Sequence, residues 1–320
     1  MPKVTSPLPA FVEALPAGVF AIDTGFHRDR FDAAYLLVQD GHAAFIDCGT
    51  NHAVPRLLQA LDALGLARSA VDHVIPTHVH LDHAGGAGLL MRELPQAMLW
   101  AHPRGVRHMV DPSALYAGAL AVYGAEEMAR SYGELIPVPA ERVRATQDGQ
   151  TLMLADRALR FADTPGHAKH HHCIWDETTR GWFTGDTFGL SYREFDTAQG
   201  AWIIPTSTPV QFDPVALRAS VKRLLAESPD CMYLTHYGRV TDVQRLGQLL
   251  LSLLEQMVDL GRREQHAASR HQALKLGQLD LFCASLAAHG VTLSRAEVEA
   301  LLAIDLELNA QGLAVWLDRV

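Results

Sequence analysis

The chain has 320 residues, 48% of them hydrophobic and 20% charged, which is enough apolar material for a large core and too much for a disordered protein. With 27 basic against 36 acidic residues the net charge is −9, which disfavours a nucleic-acid backbone or an anionic membrane as partner. Seventeen histidines stand beside four cysteines and four lysines, so a metal held here would be held by imidazole and carboxylate.

Residues 18–50 read as extended runs joined at the turn pair Asp40-Gly41, the start of a β-meander. After Asn51, a capping type of residue, Val54, Leu57, Leu58, Leu61 and Leu64 fall on one helical face up to Gly65. VDHVIP (71–76) reads as a buried strand, THVHLDHAGGAGLLMREL (77–94) as a polar turn running into a helix, and MLWAH (98–102) as another strand. Residues 103–131 predict one short and one longer helix. The aromatic and Met residues between Met109 and Tyr132 are expected in the core, with the alternative that this stretch walls a substrate pocket.

Strand patterns return between Val138 and Phe188, a helix follows over Val215–Leu225, and MYLTH (232–236) is a last strand. From Arg239 onward there is no Pro, and Leu recurs at helical spacing, predicting three or four packed helices. The expected class is therefore α/β, two sheets packed face to face with helices outside, over residues 1–238, with an all-helical domain over 239–320.

No apolar run reaches about 18 residues, and the Pro-broken start lacks an export-signal pattern. Cys48, Cys173, Cys231 and Cys283 have no short spacing, so neither a disulfide framework nor a thiolate zinc site is indicated. Cys48 and Cys173 read as small buried hydrophobes, and a cytoplasmic location is expected.

The chemistry concentrates in His78-Val79-His80-Leu81-Asp82-His83, where an apolar strand gives way to a helix opened by Ala84-Gly85-Gly86. Residues two apart in an extended segment point the same way, so His78 and His80 can share one metal. Asp82 and His83, past the bend, can address a second. Three later strand ends offer further ligands: His167 in TPGH, Asp186 in FTGD and His236 in YLTH.

HVHLDH, TPGH, GDT and THYG, in this order and spacing, resemble the metallo-β-lactamase superfamily over about residues 22–238. THVHLDHAGGAG and GDTFGLSYREF resemble a glyoxalase-II-like subgroup with a helical C-terminal extension. The resemblance implies an αββα sandwich in which His78, His80 and His167 hold one metal, Asp82, His83 and His236 hold a second, and Asp186 bridges them. It implies two divalent ions, zinc with iron or manganese as alternatives, and a metal-bridging hydroxide as nucleophile.

The expected activity is hydrolysis of a small ester, thioester or lactone, with Asp82 also orienting or receiving a proton. The alternatives are a mononuclear iron persulfide dioxygenase-like oxidoreductase or a phosphodiesterase. Asp47 is the candidate acceptor for a ligand's second ring nitrogen, and His171 is the corresponding candidate among His170, His171 and His172. Tyr192 is a candidate oxyanion donor and Arg193 an anion contact. His102 and His108 read as packing or surface residues, and Arg262, Arg263 and Lys275 as a solvated face, with contact to an acidic substrate as the alternative. A small-molecule substrate, no nucleic acid, no membrane and a homodimer are the expected partners.

Overall fold

The computed structural model describes residues 7–320; the first six residues of the Pro-broken start lie outside the described residues. Contacts divide the described residues into two compact units, one of residues 7–163, His170–Gly185 and Asp230–Arg239, the other of Thr164–Lys169, Asp186–Pro229 and Val240–Val320.

In the first unit, β1 (Val12–Ala14), β2 (Val19–Asp23), β3 (Ala33–Gln39), β4 (His42–Ile46), β5 (Val71–Ile75), β6 (Met98–Ala101) and β7 (Val143–Ala145) form a seven-stranded sheet in that order. Its first four strands are antiparallel and β4 to β7 are parallel. Between the parallel strands run α1 (Val54–Ala63), α2 (Leu81–Ala84), α3 (Ala87–Glu93), α4 (Val106–Val110) and α5 (Ser113–Glu127). A six-stranded sheet follows, from β8 (Thr151–Leu154), β9 (Arg157–Asp163), β10 (His172–Asp176), β11 (Gly181–Gly185), β12 (Cys231–Leu234) and β13 (Gly238–Val240), with β13 and β8 at its edges.

Strands buried on both faces read as continuous apolar runs, and alternate residues then serve two cores. Val19, Ala21, Tyr35 and Leu37 pack against Leu159, Phe161, Ile174 and Phe183 of the second sheet. Phe20, Ile22, Leu36 and Phe45 pack on the other face against Leu57 and Leu61 of α1 and Leu90 and Met91 of α3. The α/β class in its αββα form is the architecture found. The strands β1 and β13, three residues each, were not expected, because three residues are too few to display an alternation.

Asn51 does not cap α1. That helix starts at Val54 after Ala53, with no side-chain cap and a proline in its first turn, and Asn51 Nδ2 instead donates to the Glu134 carbonyl. Cys48, Cys173 and Cys231 are buried free thiols.

In the second unit, α6 (Pro214–Ala226) begins at Asp213, whose carboxylate accepts from the backbone of Val215 and Ala216. The helices expected beyond residue 239 are four: α7 (Val243–Glu264), α8 (Arg270–Ala288), α9 (Arg295–Leu301) and α10 (Ala303–Leu317). Leu246, Leu250, Leu253, Met257 and Leu260 form the buried stripe of α7, and a Ser294–Glu297 capping box opens α9.

The unit that contains these helices also takes in residues 186–229, which they hold by specific bonds. Trp202 Nε1 donates to Ser285 Oγ at 2.9 Å, and the Ser207 amide donates to Asn309 Oδ1 at 2.7 Å. No single helix among the described residues is long and apolar enough to cross a membrane.

Candidate metal centre

Asp47, just past the end of β4, is the buried anchor of the first unit's ligand loop. The Thr77 amide donates to its Oδ1 at 2.7 Å, and the Thr77 and Thr235 hydroxyls donate to its carboxylate at 3.0 and 2.8 Å. His83 Nδ1 donates to Oδ2 at 2.8 Å. One carboxylate thus fixes the loop after β5, the loop after β12 and the tautomer of a histidine. A ring whose Nδ1–H is donated away carries its lone pair on Nε2, the form that binds a cation.

His236 is set the same way, with Nδ1 donating to the Phe31 carbonyl at 2.7 Å. Its Nε2 lies 3.4 Å from Asp82 Oδ2, and His83 Nε2 lies 3.7 Å from the same oxygen. Ligand atoms about 2.1 Å from a tetrahedral zinc are separated by about 3.4 Å, so this spacing fits one divalent ion. Asp82, His83 and His236 offer three ligand atoms within 4.8 Å of one another. Of the three, Asp82 reaches solvent, with a side chain 24% exposed against 0% for His83 and 5% for His236.

His78 and His80 follow β5 on an extended stretch that brings His78 Nε2 within 2.8 Å of His80 Nδ1. Their paired nitrogens are the arrangement expected of two imidazoles aimed at one point. The His171 ring stacks on His78 with centroids 4.8 Å apart, so His171 packs behind a candidate ligand. His172 turns elsewhere, meeting Thr146 Oγ1 at 2.9 Å and the Pro76 carbonyl at 3.0 Å.

Full burial pushes the His172 pKa down to about 3. An unfolded chain takes up that proton near pH 6.5 and the folded chain only near 3, so stability is complete above 6.5 and is lost as pH falls through this window. We expect a loss of about 2 kcal/mol between pH 7 and 5 from this residue, absent in His172→Asn, measured by urea unfolding at both pH values.

In the second unit, His167 Nε2 lies 3.2 Å from Asp186 Oδ2, both residues buried. The turn that carries His167 needs a glycine: Gly166 has φ +135°, and a Cβ there would sit 2.2 Å from the Leu217 amide nitrogen. The Thr208 hydroxyl donates to the His167 carbonyl at 2.9 Å and the Ser220 hydroxyl to that of Pro165 at 2.7 Å, holding the turn.

Tyr192 is buried, and its hydroxyl donates to Asp305 Oδ1 at 3.1 Å, joining the segment after β11 to α10. Arg193 folds back on the Ser191 carbonyl at 2.6 Å and on Asp196 at 3.3 Å. Both side chains are therefore engaged within the second unit. Lys275 pairs with Glu307 at 2.6 Å and His102 with Asp163 at 3.1 Å. Arg262 pairs with Asp259 at 3.6 Å and Arg263 with Glu264 at 3.7 Å, the solvated face expected.

Thr77 and Thr235 were not singled out from the sequence, since only the fold shows that both hydroxyls meet Asp47. Asp32 was missed as well. It is completely buried beside the ligands, and burial lifts its carboxyl to about pH 8 against the opposing pull of His236 and His83. FDAAYLL reads as the start of a strand and carries no signal of that environment.

The family model of the metallo-β-lactamase superfamily matches residues 27–236. An acyl-coenzyme A thioesterase of Gallus gallus is 27% identical over 191 residues, covering 54% of this chain and 63% of that protein. A hydroxyacylglutathione hydrolase of Methylococcus capsulatus is 31% identical over 153 residues, covering 48% of this chain and 46% of that protein. Both matches span less than two thirds of the relative's own length. An archaeal metallo-β-lactamase superfamily protein from Sulfolobus tokodaii superposes with a TM-score of 0.64 at 20% identity, covering 93% of this chain and 99% of that one, a likeness of fold. The ligand motifs, the paired mixed sheets and the family match over most of the chain make it a member of the metallo-β-lactamase superfamily.

Proposed function

We propose that this metal-dependent hydrolase cleaves thioesters, and that His78, His80 and His167 would hold one divalent ion and Asp82, His83 and His236 a second, with Asp186 a further carboxylate of the ligand set. The observation that carries the metal reading is the Asp82–His83–His236 group, whose two imidazoles are fixed by Asp47 and Phe31 with Nε2 beside the Asp82 carboxylate. The thioester reading is supported by the likeness to the Gallus gallus acyl-coenzyme A thioesterase and the Methylococcus capsulatus hydroxyacylglutathione hydrolase.

When bound, divalent ions such as zinc lower the pKa of water and polarise a carbonyl oxygen. The chain supplies the rest. Asp82, as the solvent-reaching carboxylate of its set, takes a proton from the attacking water and passes it toward the leaving sulfur. The water oxygen bonds to the thioester carbon, the C–S bond breaks, and a thiol and a carboxylic acid leave, the acid giving its remaining proton to solvent. Asp47 keeps His83 in one orientation throughout.

The test is metal analysis on the same preparation used for a panel of thioester, lactone and phosphodiester substrates. We expect about two zinc, iron or manganese ions per chain and thioester hydrolysis that is abolished by a chelator and restored by added metal. One iron per chain with oxygen uptake on a persulfide, or turnover of the phosphodiester alone, overturns the reading.

A further inference from the structure

Two buried carboxyls of the first unit stand near the same histidines, and the fold treats them in opposite ways. Asp47 receives the Thr77 amide, the Thr77 and Thr235 hydroxyls and His83 Nδ1. Asp32 is 0% exposed, and neither of its carboxyl oxygens has a hydrogen-bond partner among the described residues. Burying a carboxyl without donors costs stability, so a partner beyond the chain's own hydrogen bonds is called for.

The backbone fixes where Asp32 stands. Its carbonyl accepts from the Thr24 amide at 3.0 Å and from the Thr24 hydroxyl at 3.1 Å. On one side of it the Phe31 carbonyl accepts from His236 Nδ1 at 2.7 Å, and on the other the Ala33 amide donates to the Thr235 carbonyl at 2.8 Å. Bonds one residue to either side thus clamp Asp32 against the segment that ends in the candidate ligand His236. The charges that act on its carboxyl most strongly are those of His236, His83, Asp82 and Asp47, which include every member of the second candidate ion's set. No Lys or Arg stands among them.

We propose that Asp32 sets the affinity of the second ion, acting on it by charge through the protein and not as a ligand. A carboxyl with no partner in the metal-free fold gains one when the cation arrives. The proposal rests on the two-ion reading above and adds a residue to it. Asp32 is not among the three groups whose ligand atoms lie within 4.8 Å of one another, but a divalent charge is felt over several ångströms where water is excluded. A structural carboxyl receives donors, as Asp47 does, and as Asp176 does from Arg157. A proton carrier reaches solvent, as Asp82 does and Asp32 does not.

The test measures zinc affinity of the full chain by competition with a chelator of known affinity, and urea unfolding of the metal-free chain. In Asp32→Asn and Asp32→Ala we expect the dissociation constant of the ion that Asp82→Ala removes to rise by at least about tenfold, with the other ion changed less than about threefold. Adding Asp32→Asn to Asp82→Ala, where that ion is already lost, changes the remaining affinity by less than about twofold. Asp29→Asn removes an exposed acid of the same loop and leaves both affinities within about twofold.

The urea midpoint of the metal-free chain holds or rises in at least one of the two Asp32 variants, because no hydrogen bond of the carboxyl is lost. Asp32→Ala decides this where the Asn amide itself disturbs the fold. A midpoint lowered in both variants makes Asp32 a structural residue and overturns the proposal. A parent that binds two ions, with Asp32 variants that bind both as tightly, overturns this proposal alone. A parent that binds a single ion overturns the two-ion reading and this proposal with it.

Discussion

Replacing Asp47 by Ala is expected to destabilise the metal-free chain by about 3–5 kcal/mol and to weaken metal binding by at least about tenfold. The carboxylate is buried and receives the Thr77 amide, the Thr77 and Thr235 hydroxyls and His83 Nδ1. Truncation leaves these donors in a site closed to water, where each unsatisfied group costs about 1–3 kcal/mol and relaxation recovers part of the sum. It also releases the two loops that the carboxylate ties together and frees His83 to exchange tautomers.

Urea unfolding of the metal-free protein separates the folding part, and competition with a chelator of known affinity gives the metal part. Thr235→Val removes one donor and is expected to cost about 1 kcal/mol with metal binding nearly intact. A loss below about 1 kcal/mol in Asp47→Ala, with metal retained, would show the hub to be incidental.

The sequence carried much of this site because metal ligation imposes local rules. Two histidines two apart at a strand end, followed by Asp82 and His83 at a bend, are legible from the extended-chain period alone. The partners of those ligands are less legible, because they act across the fold. Asp47 could be suspected as the acid at a strand end, whereas Thr77 and Thr235 carry no local signal of meeting it.

The same distinction applies to the framework. Continuous apolar runs marked the strands of both sheets apart from β1 and β13, and the Leu-rich tail marked α7 to α10. Nothing local indicated that Arg157 is wholly buried against Asp176, with Nε 2.8 Å from Oδ1 on the adjoining strand. Nor could helical spacing tell whether the apolar residues of α5 face the core or the solvent. Its composition supports a buried helix, whereas Tyr116 and Tyr123, expected in the core, are exposed.

Asp82→Ala is expected to lower kcat/KM by about 10²–10⁴-fold and to remove one of the two proposed metal ions while leaving the metal-free fold unchanged. The side chain is 24% exposed and sits at the start of a short helix, so its truncation opens no core cavity. What it loses is one of three ligand atoms in a group spaced for a single cation, together with the carboxylate that handles the proton. Asp82→Asn discriminates between these two losses. An amide can still offer an oxygen to a cation but cannot accept the proton, so metal content should recover further than kcat does.

His236→Ala takes a different course despite belonging to the same group. Its Nδ1 holds the Phe31 carbonyl, and losing that bond inside a closed site adds about 1–3 kcal/mol of instability to the loss of metal. Metal analysis, urea unfolding and kcat/KM on the three variants therefore give three distinct signatures. Unfolding of Asp82→Ala, or a full metal complement with full activity in that variant, would remove Asp82 from both of its proposed roles.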